Sequence, residues 1–391
     1  IYTIPTWYLG VFMASSATII RHDIMQEYFP DRADVKSIIT MDEIYDMLVD
    51  YKAKNPKTAS GQDFIGWTMT EYGYPLFRQI WGNYDELYPT GEDTVEYFAT
   101  RQQEQDMLVY LNKLYREGFM DPDMFLNTQD ERNAKLSNES CIITMDHQAG
   151  YSAVNSMMHE EDENKYLAYY RVVSDAGQDG YRAHSPFGGN GTVIMTACKD
   201  VERALEFIDF CCEPKNNFML CAGQPGTWYD EVDGKVVPNI EALQAEGDLW
   251  ARFRKVGAYK YVGWLREGPD PRLGDYWTYN ASSLIHFSWA AELDYSQNHR
   301  IINWDEEDLT NPGYFIGIAV DASSDEGIIK QKIDDIYNRA FPDILRAESE
   351  TKAMEIYNKA IDEMTAAGLD KYLEAIAPRF FARKAAIDAV G

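Results

Sequence analysis

The stretch Cys141-Ile142-Ile143-Thr144-Met145 is a short apolar run with the length and composition of a buried β-strand. A turn-like segment follows it, Asp146-His147-Gln148-Ala149-Gly150, and a second strand candidate, Gly191-Thr192-Val193-Ile194-Met195, comes later. From Asp200 onward the apolar residues recur with a helical period. Strands that alternate with helices in the middle of a chain favour an α/β fold.

Helical patterns lie on both sides of this central part. Thr40-Met41-Asp42-Glu43 has the pattern of a capping box, so a helix of about three turns is predicted to begin there and to end before Asn55-Pro56. A second helix is predicted over residues 100–117, with Gly118 in the position of a left-handed C-terminal residue. From Glu326 to the end, the periodicity predicts mostly helix.

The length of the chain predicts two domains. Its 391 residues exceed the roughly 250–300 at which a single hydrophobic core stops growing. No stretch approaches the roughly 18 consecutive apolar residues of a membrane span. The five cysteines form no CxxC pair, which argues against a zinc site and against a disulfide framework.

The charge balance excludes one large class of partners. The formal net charge is −28, from 64 acidic and 36 basic side chains, so the surface repels nucleic-acid phosphates and anionic lipid. Neutral ligands are the simplest expectation. An anionic ligand would need a local cluster of positive charge, for which Arg21 and Arg266 are the candidates.

Aromatic residues are unusually frequent, at 14% of the chain with 27 Tyr, 9 Trp and 17 Phe. Tyr and Trp combine a flat apolar face with a polar group, and such a surface stacks on the C–H face of a sugar ring. For any single aromatic residue, ordinary core packing is the alternative.

Sequence motifs of catalysis are absent. There is no G-x-S-x-G, H-E-x-x-H, P-loop or correctly placed G-x-G-x-x-G, and Gly188-Gly189-Asn190-Gly191 lacks the Lys-Ser/Thr of a phosphate loop. A glycosidase needs only two carboxylates across a cleft, so a glycan-active enzyme stays open as an alternative. The carboxylates that lie near aromatic residues are Asp146, Glu231, Asp275 and Glu292.

An acidic segment begins at Asp121-Pro122-Asp123 and ends at Glu131. It does not match an EF-hand, because the sixth position is Leu126 rather than Gly and the twelfth is Arg132 rather than Glu. A solvated loop is therefore predicted.

Several motifs resemble those of extracellular solute-binding proteins of family 1, in particular the LplA-type lipoproteins. The most specific is Leu114-Tyr115-Arg116-Glu117-Gly118-Phe119-Met120-Asp121-Pro122, which is similar to the family pattern L-Y-x-E-G-L-I-D-P. The other stretches that resemble family motifs are residues 1–5 (Y-x-I-P), 20–23 (R-x-D), 40–50, 223–229, 232–235 and 368–373. Together they extend from one end of the chain to the other.

This resemblance implies a two-lobed α/β clamp of the type II periplasmic-binding-protein kind, in which the chain crosses between the lobes more than once and closes on its ligand by a hinge motion. Residues 1–19 and 150–235 are expected in the N-terminal lobe, residues 20–149 and 320–391 in the C-terminal lobe, and residues 236–319 near the cleft and hinge. Family members carry further residues upstream, which would leave the N-terminal lobe incomplete here.

The resemblance also implies that ligand-binding residues lie on the walls of a cleft. Trp7 and Tyr8 follow the Y-x-I-P strand, and Trp228 and Tyr229 lie in a Gly-rich loop, so these four are the first candidates for stacking. The remaining aromatic candidates are Tyr72, Tyr74, Trp81, Trp264, Tyr276 and Trp277. The candidate polar partners for sugar hydroxyls are Arg21, Asp146, His147, Asn190 and Glu231.

The expected function is extracellular capture of an oligosaccharide and its delivery to the permease subunits of an ABC importer, by a monomer without cofactor or chemistry. A lipid anchor on an upstream segment is expected to hold the protein at the cell membrane. No metal is expected, because residues 55–63 keep only Asn55 and Asp63 of the calcium loop of many relatives. A glycan-active enzyme and a peptide-binding protein on the same scaffold are the alternatives.

Overall fold

The structure is a computed structural model, which describes residues 3–5, 17–33, 37–71, 73, 76–146, 152–162, 164–176, 191–246, 254–255, 257, 318 and 320–388. Its strands are β1 (Thr3–Pro5), β2 (Ala17–Arg21), β3 (Ile38–Thr40), β4 (Gly66–Trp67), β5 (Leu87–Pro89), β6 (Val95–Tyr97), β7 (Cys141–Asp146), β8 (Leu167–Val173), β9 (Gly191–Val193), β10 (Tyr229–Val232) and β11 (Lys235–Pro238).

The helices confirm most of the predicted helical segments, including those that begin at the Thr40 capping box and after Arg101. They are α1 (His22–Tyr28), α2 (Met41–Lys54), α3 (Phe77–Ile80), α4 (Gln102–Arg116), α5 (Gln129–Ser137), α6 (Ser152–Glu161), α7 (Val201–Cys212), α8 (Pro214–Ala222), α9 (Ile240–Ala245), α10 (Asp325–Arg346), α11 (Glu350–Ala367) and α12 (Leu369–Asp388). Within the described ranges, no helix has both the length and the apolar character that crossing a membrane requires.

The chain divides into two compact units. Unit 1 consists of Ile1–Met13 and His184–Asn303, and unit 2 consists of Ala14–Ala183 and Trp304–Gly391. The chain therefore passes between the units more than once, as the family resemblance implied.

Unit 2 is built on a five-stranded sheet in the order β3-β8-β2-β7-β4. All seven residues of β8 are buried, which is expected for a strand whose two faces are both covered. The helices α10 and α11 pack closely on each other and on α4. Their buried residues, which include Tyr337 and Tyr357, follow the helical period that was predicted for the end of the chain.

The position of β8 differs from the sequence prediction, which placed residues 150–235 in the N-terminal lobe. β8 pairs with both β2 and β3 in the unit 2 sheet. Residues 152–176, as far as they are described, therefore belong to unit 2, and the chain returns to unit 1 only at His184. The ladder hydrogen bonds of β8 decide this, because a strand stays with the sheet that satisfies its backbone groups.

In unit 1, β1 pairs antiparallel with β9, and β10 forms a hairpin with β11. The helix α7 follows the predicted start at Asp200, whose side chain accepts a hydrogen bond from the Arg203 N–H. Its predicted apolar face is only partly covered, since Cys211 is buried whereas Val201 and Leu205 are about half exposed.

The capping box of α2 gives a first testable prediction. The Thr40 hydroxyl accepts from the Glu43 N–H, and the Glu43 carboxylate accepts from the Thr40 N–H at 2.9 Å. Thr40→Ala removes one of these bonds and is expected to lower the free energy of unfolding by about 1 kcal/mol. Thr40→Ser keeps the hydroxyl and serves as the control. Equal urea midpoints for the two variants would contradict the capping role.

Candidate ligand-binding site

Four strands of the unit 2 sheet run in one direction, and β2 runs in the other. β2 is antiparallel to both of its neighbours, while β3 and β4 are parallel to theirs. The carboxyl ends of β3, β4, β7 and β8 therefore lie at one edge of the sheet. We call residues 40–43, 67–71, 73, 76, 146 and 173–176 the carboxyl edge. Open α/β sheets bind their ligands outside such ends, so the carboxyl edge is the candidate site.

The loop that follows β4 packs directly on the end of β7. The Gly73 N–H donates to the Thr70 carbonyl at 2.9 Å, and the Gly73 carbonyl accepts from the Leu76 N–H at 3.0 Å. A Cβ atom at Gly73 would lie only 2.7 Å from the Met145 carbonyl oxygen, so a side chain there would force the backbone to move. Tyr72 and Tyr74 flank this fixed point in the sequence.

A carboxylate joins the end of β8 to the start of α2. The Oδ1 atom of Asp175 accepts a hydrogen bond from the Asp42 N–H at 2.8 Å. Asp175 is exposed as a residue, but partial desolvation of its carboxyl group raises the pKa, and the hydrogen bond from the Asp42 N–H opposes this shift only in part. The Tyr110 hydroxyl donates to the Met41 carbonyl at 2.7 Å. The start of α2 is thus held from two sides at the carboxyl edge.

Trp81 lies beside the carboxyl edge, but its ring is covered. The preceding residue, Ile80, accepts a backbone hydrogen bond at 2.9 Å from Ser174, which directly follows β8. The Trp81 ring packs at 5.7 Å from the Tyr110 ring, and the residue is only 5% exposed. A stacking role for Trp81 would require this ring to be uncovered, so that role stays a prediction.

Arg21 lies at the opposite end of the sheet, because β2 is antiparallel to the strands beside it. Its guanidinium makes two hydrogen bonds to Asp23, at 2.7 and 2.6 Å, and lies 3.2 Å from a carboxylate oxygen of Glu139. Burial alone would lower the pKa of Arg21, but these two carboxylates raise it. Arg21 and Asp146 are at opposite ends of β2 and are not brought together.

Trp228, Tyr229 and Glu231 lie together at the β10–β11 hairpin of unit 1. Trp228 is fully buried, and the Lys255 ammonium lies 4.9 Å from its ring centre. The Tyr229 hydroxyl donates to the Gly223 carbonyl at 3.0 Å, and its ring packs edge-on against Phe218. Glu231 is exposed on β10. The two rings fill the interior of unit 1, so their predicted stacking role would require them to become exposed.

The other predicted ligand residues fall outside the described part of the chain, and their roles stay predictions. They are Trp7, Tyr8, Tyr72, Tyr74, His147, Asn190, Trp264, Tyr276 and Trp277, together with the side chain of Asp146. The same holds for the alternative catalytic carboxylates Asp275 and Glu292.

The described residues include His, Cys, Asp and Glu side chains, the usual protein ligands of metal ions. No group of three or more His, Cys, Asp or Glu side chains among them could hold a metal ion. In the loop of residues 55–63, the Asp63 carboxylate accepts from the Lys57 ammonium at 2.6 Å. Asp63 is therefore already engaged with a positive charge of the chain itself.

The prediction of a solvated acidic loop is wrong for Asp121, although Asp123, Asp130 and Glu131 of the same segment are exposed. Asp121 is completely buried, and the Lys135 ammonium lies 2.8 and 2.7 Å from its two oxygens. Thr68 and Asn127 also donate to the Asp121 carboxylate, each at 2.7 Å. A buried carboxylate is tolerated when it is paired and fully hydrogen-bonded. This part of the segment therefore contributes to the interior of unit 2.

Sequence reasoning missed two described residues of the carboxyl edge, Gly73 and Asp175, and Tyr110, which bonds to the carboxyl-edge residue Met41. Asp175 carried one usable signal, since it stands two residues after the end of a buried strand, where ligand-facing loops begin. The role of Gly73 depends on its contact with Met145, which is 72 residues away in the chain, and no local pattern reveals such a contact.

Solved structures with a similar fold include sugar-binding transport proteins. FusA, an ABC-transporter substrate-binding protein of Streptococcus pneumoniae in complex with fructo-nystose, is 15% identical with a TM-score of 0.62, covering 98% of this chain and 77% of FusA. An HMO-binding, ABC-transporter-associated solute-binding protein of Bifidobacterium longum infantis is 11% identical with a TM-score of 0.60, covering 98% of this chain and 77% of that protein. The predicted two-lobed, periplasmic-binding-protein-like fold is confirmed.

Curated relatives and a family profile give the remaining comparison. Lipoprotein LipO of Bacillus subtilis (strain 168) is 23% identical over 228 residues, which are 55% of this chain and 45% of LipO. The chain spans about half the length of the curated relatives it matches. The profile of the bacterial extracellular solute-binding proteins matches residues 3–227, more than half of the chain. The chain therefore belongs to the bacterial extracellular solute-binding protein family.

Proposed function

We propose that this protein captures an oligosaccharide outside the cell and delivers it unchanged to the permease of an ABC importer. The family membership carries this proposal. Two proteins that share the fold, FusA and the Bifidobacterium protein, are described as a fructo-nystose complex and as HMO-binding. A protein of this kind acts by binding and release, which agrees with the absence of catalytic motifs from the sequence.

The ligand is proposed to bind at the carboxyl edge of unit 2. There the Gly73 contact fixes the loop after β4 against β7, and the Asp175 carboxylate is held by the Asp42 N–H. Tyr72 and Tyr74, which flank Gly73 in the sequence, are proposed to stack on sugar rings. Flat aromatic faces next to fixed polar groups are the usual composition of a carbohydrate site.

The partners and the location are proposed on the same basis. The family is extracellular, and LipO is a lipoprotein, which supports a lipid anchor on a segment outside these residues. The protein is proposed to act as a monomer that docks on the permease subunits.

Thermal unfolding in the presence of oligosaccharides tests the proposal. A ligand at 100 times its dissociation constant stabilises the native state by about 2.7 kcal/mol, which raises the unfolding midpoint measurably. The panel should contain neutral and acidic oligosaccharides, with short peptides as controls, and the ligand should be analysed after incubation. A shift with an intact oligosaccharide is expected. Cleaved products would favour the enzyme, and a shift with peptides alone would favour a peptide-binding protein.

The location of the site is tested with matched tyrosine variants. Tyr72→Ala or Tyr74→Ala is expected to weaken oligosaccharide binding at least about tenfold, because a stacked aromatic residue is commonly worth more than 1 kcal/mol. Tyr28→Ala is the control, since Tyr28 lies on α1, which follows the other end of β2, and bonds to Asp50. Isothermal titration would contradict this site if all three variants bound like the parent protein.

A further inference from the structure

We propose that Asn127 is a positioning residue of the ligand-binding site. Its side-chain amide holds the loop that follows β4 in place at the carboxyl edge, and the affinity for the oligosaccharide depends on that support. The inference rests on the proposed function and adds to it a residue that does not itself touch the ligand. All the contacts that carry it are made by described, buried residues of unit 2.

The Asn127 side chain bonds directly to the main chain of the carboxyl edge. Its Nδ2 group donates to the Met69 carbonyl at 2.9 Å and lies 3.2 Å from the Thr68 hydroxyl oxygen. Thr68 and Met69 are completely buried, and Asn127 is only 8% exposed. A buried carbonyl without a donor is unfavourable, so the main chain at Met69 would have to move if the amide were removed.

The surroundings of Asn127 require an amide at this position. The Lys135 ammonium, which can only donate, bonds to the Asn127 Oδ1 at 3.0 Å. The opposite side of the amide faces acceptors, because Nδ2 also donates to Oδ2 of Asp121 at 2.7 Å. An aspartate at position 127 would have no donor for the Met69 carbonyl and would place a second negative charge beside Asp121.

The loop that Asn127 supports is short and is anchored at both ends. Three residues separate Met69 from Gly73. A Cβ atom at Gly73 would lie 2.7 Å from the Met145 carbonyl oxygen of β7 and 2.9 Å from the Met69 Cβ. The amide contact at Met69 and the β7 contact at Gly73 therefore fix the two ends of one tight turn. Tyr72 and Tyr74, the proposed stacking residues, flank Gly73 in the sequence.

A fixed turn matters for affinity because a loop that is already ordered loses less conformational freedom when the ligand binds. Stacking on a sugar ring also depends on where the aromatic face is held. Without the amide contact, the turn would have only its β7 anchor, and binding would have to restore its order. Asn127 should therefore influence the dissociation constant through the turn and not only the stability of the fold.

Asn127→Ala tests this role by isothermal titration. The titrant is the oligosaccharide of the thermal-unfolding panel that most raises the midpoint of the parent protein, and the temperature is one at which the variant is fully folded. Binding is expected to weaken about tenfold. Asn127→Asp, which keeps the size of the side chain and loses the donor, is expected to weaken binding at least as much.

Asn155→Ala is the matched control. Asn155 is another buried asparagine, and it makes two hydrogen bonds with the backbone of Leu167, at 2.9 and 2.7 Å. Leu167 begins β8, so this contact lies at the other end of that strand from the carboxyl edge. Asn155→Ala should lower the urea midpoint much as Asn127→Ala does, but should leave the affinity within about twofold of the parent value.

A double-mutant cycle separates positioning from a general effect on the fold. In a protein that already carries Tyr72→Ala and Tyr74→Ala, adding Asn127→Ala should weaken binding by less than about twofold, because the turn then has no stacking residue to position. If Asn127→Ala weakens binding equally with and without the tyrosines, or no more than Asn155→Ala does, the inference is overturned and the proposed function stands. If the parent protein binds no oligosaccharide, the proposed function itself fails.

Discussion

Replacing Lys135 with methionine is expected to lower the free energy of unfolding by about 3 kcal/mol, because it leaves a buried carboxylate without its counter-ion. Asp121 is completely buried, and both of its oxygens contact the Lys135 ammonium, at 2.8 and 2.7 Å. Removing one partner of a buried ion pair usually costs about 3–5 kcal/mol. The lower end of that range is expected here, since the Lys135 side chain is itself 21% exposed. Urea unfolding at pH 7 measures the loss.

The effect of Lys135→Met should depend on pH in a defined direction. Burial raises the pKa of Asp121, but hydrogen bonds from Lys135, Asn127 and Thr68 outweigh it, and the folded pKa is lowered. A lowered pKa contributes stability above the unfolded value of about 3.9, and this stability is lost as the pH falls through the folded pKa. Without Lys135, burial raises the folded pKa of Asp121 with less opposition. The difference in unfolding free energy between the parent protein and Lys135→Met should therefore be largest at neutral pH and should become smaller toward pH 4.

Two further variants separate charge pairing from a general effect of removing a lysine. Lys352→Met removes an exposed lysine whose partner Glu355 lies 2.7 Å away, and little loss is expected because exposed ion pairs contribute little. Asp121→Asn combined with Lys135→Met should be more stable than Lys135→Met alone, since no buried charge then remains. If the single and double variants were equally unstable at every pH, the loss would have another cause.

The helices were predictable because their signals are local. The Thr40 capping box and the stripe that includes Tyr357 each lie within a few turns of chain, and both predicted helices are present. The strand β8 was missed, because Leu167-Ala168-Tyr169-Tyr170-Arg171-Val172-Val173 mixes aromatic, basic and aliphatic residues and shows no regular period. The resemblance had implied a return to the N-terminal lobe at residue 150, and β8 shows that the chain still belongs to unit 2 there.

The burial of individual side chains was the second feature that could not be predicted from the sequence. Asp121 resembles any other acidic loop residue until Lys135, Asn127 and Thr68 are seen around it. Trp81 and Trp228 have the residue type of a sugar-stacking side chain, but both are buried. Residue type predicts what a side chain can do, whereas contacts between distant segments decide whether it is exposed to do it.

Replacing Glu104 with leucine is expected to lower the free energy of unfolding by about 3–5 kcal/mol, at least as much as Lys135→Met does. The reason is that it leaves the guanidinium of Arg78 without its buried counter-ion. The completely buried Glu104 accepts from Arg78 Nε at 3.2 Å, from Asn83 Nδ2 at 2.7 Å and from the Tyr337 hydroxyl. Burial lowers the pKa of Arg78, but the interactions with Glu104 and Tyr337 together outweigh burial and raise it, so Arg78 stays charged. With leucine at this position, three donors would lose their shared acceptor at once.

Glu104 and Tyr337 are 233 residues apart in the chain, and their contact joins α4 to α10. Loss of Glu104 should therefore speed hydrogen exchange in α10 more than in α2, which has no part in this network.

Arg78→Met added to Glu104→Leu should restore much of the stability, since apolar groups often replace a buried ion pair without loss. Glu363→Leu, which removes an exposed partner of Arg339, should leave unfolding nearly unchanged. If Glu363→Leu and Glu104→Leu lost equal stability, the buried network would contribute no more than a surface ion pair. The attachment of α10 to α4 would then depend on other contacts, such as the hydrogen bonds that Asn112 of α4 donates to the Ile344 and Leu345 carbonyls of α10.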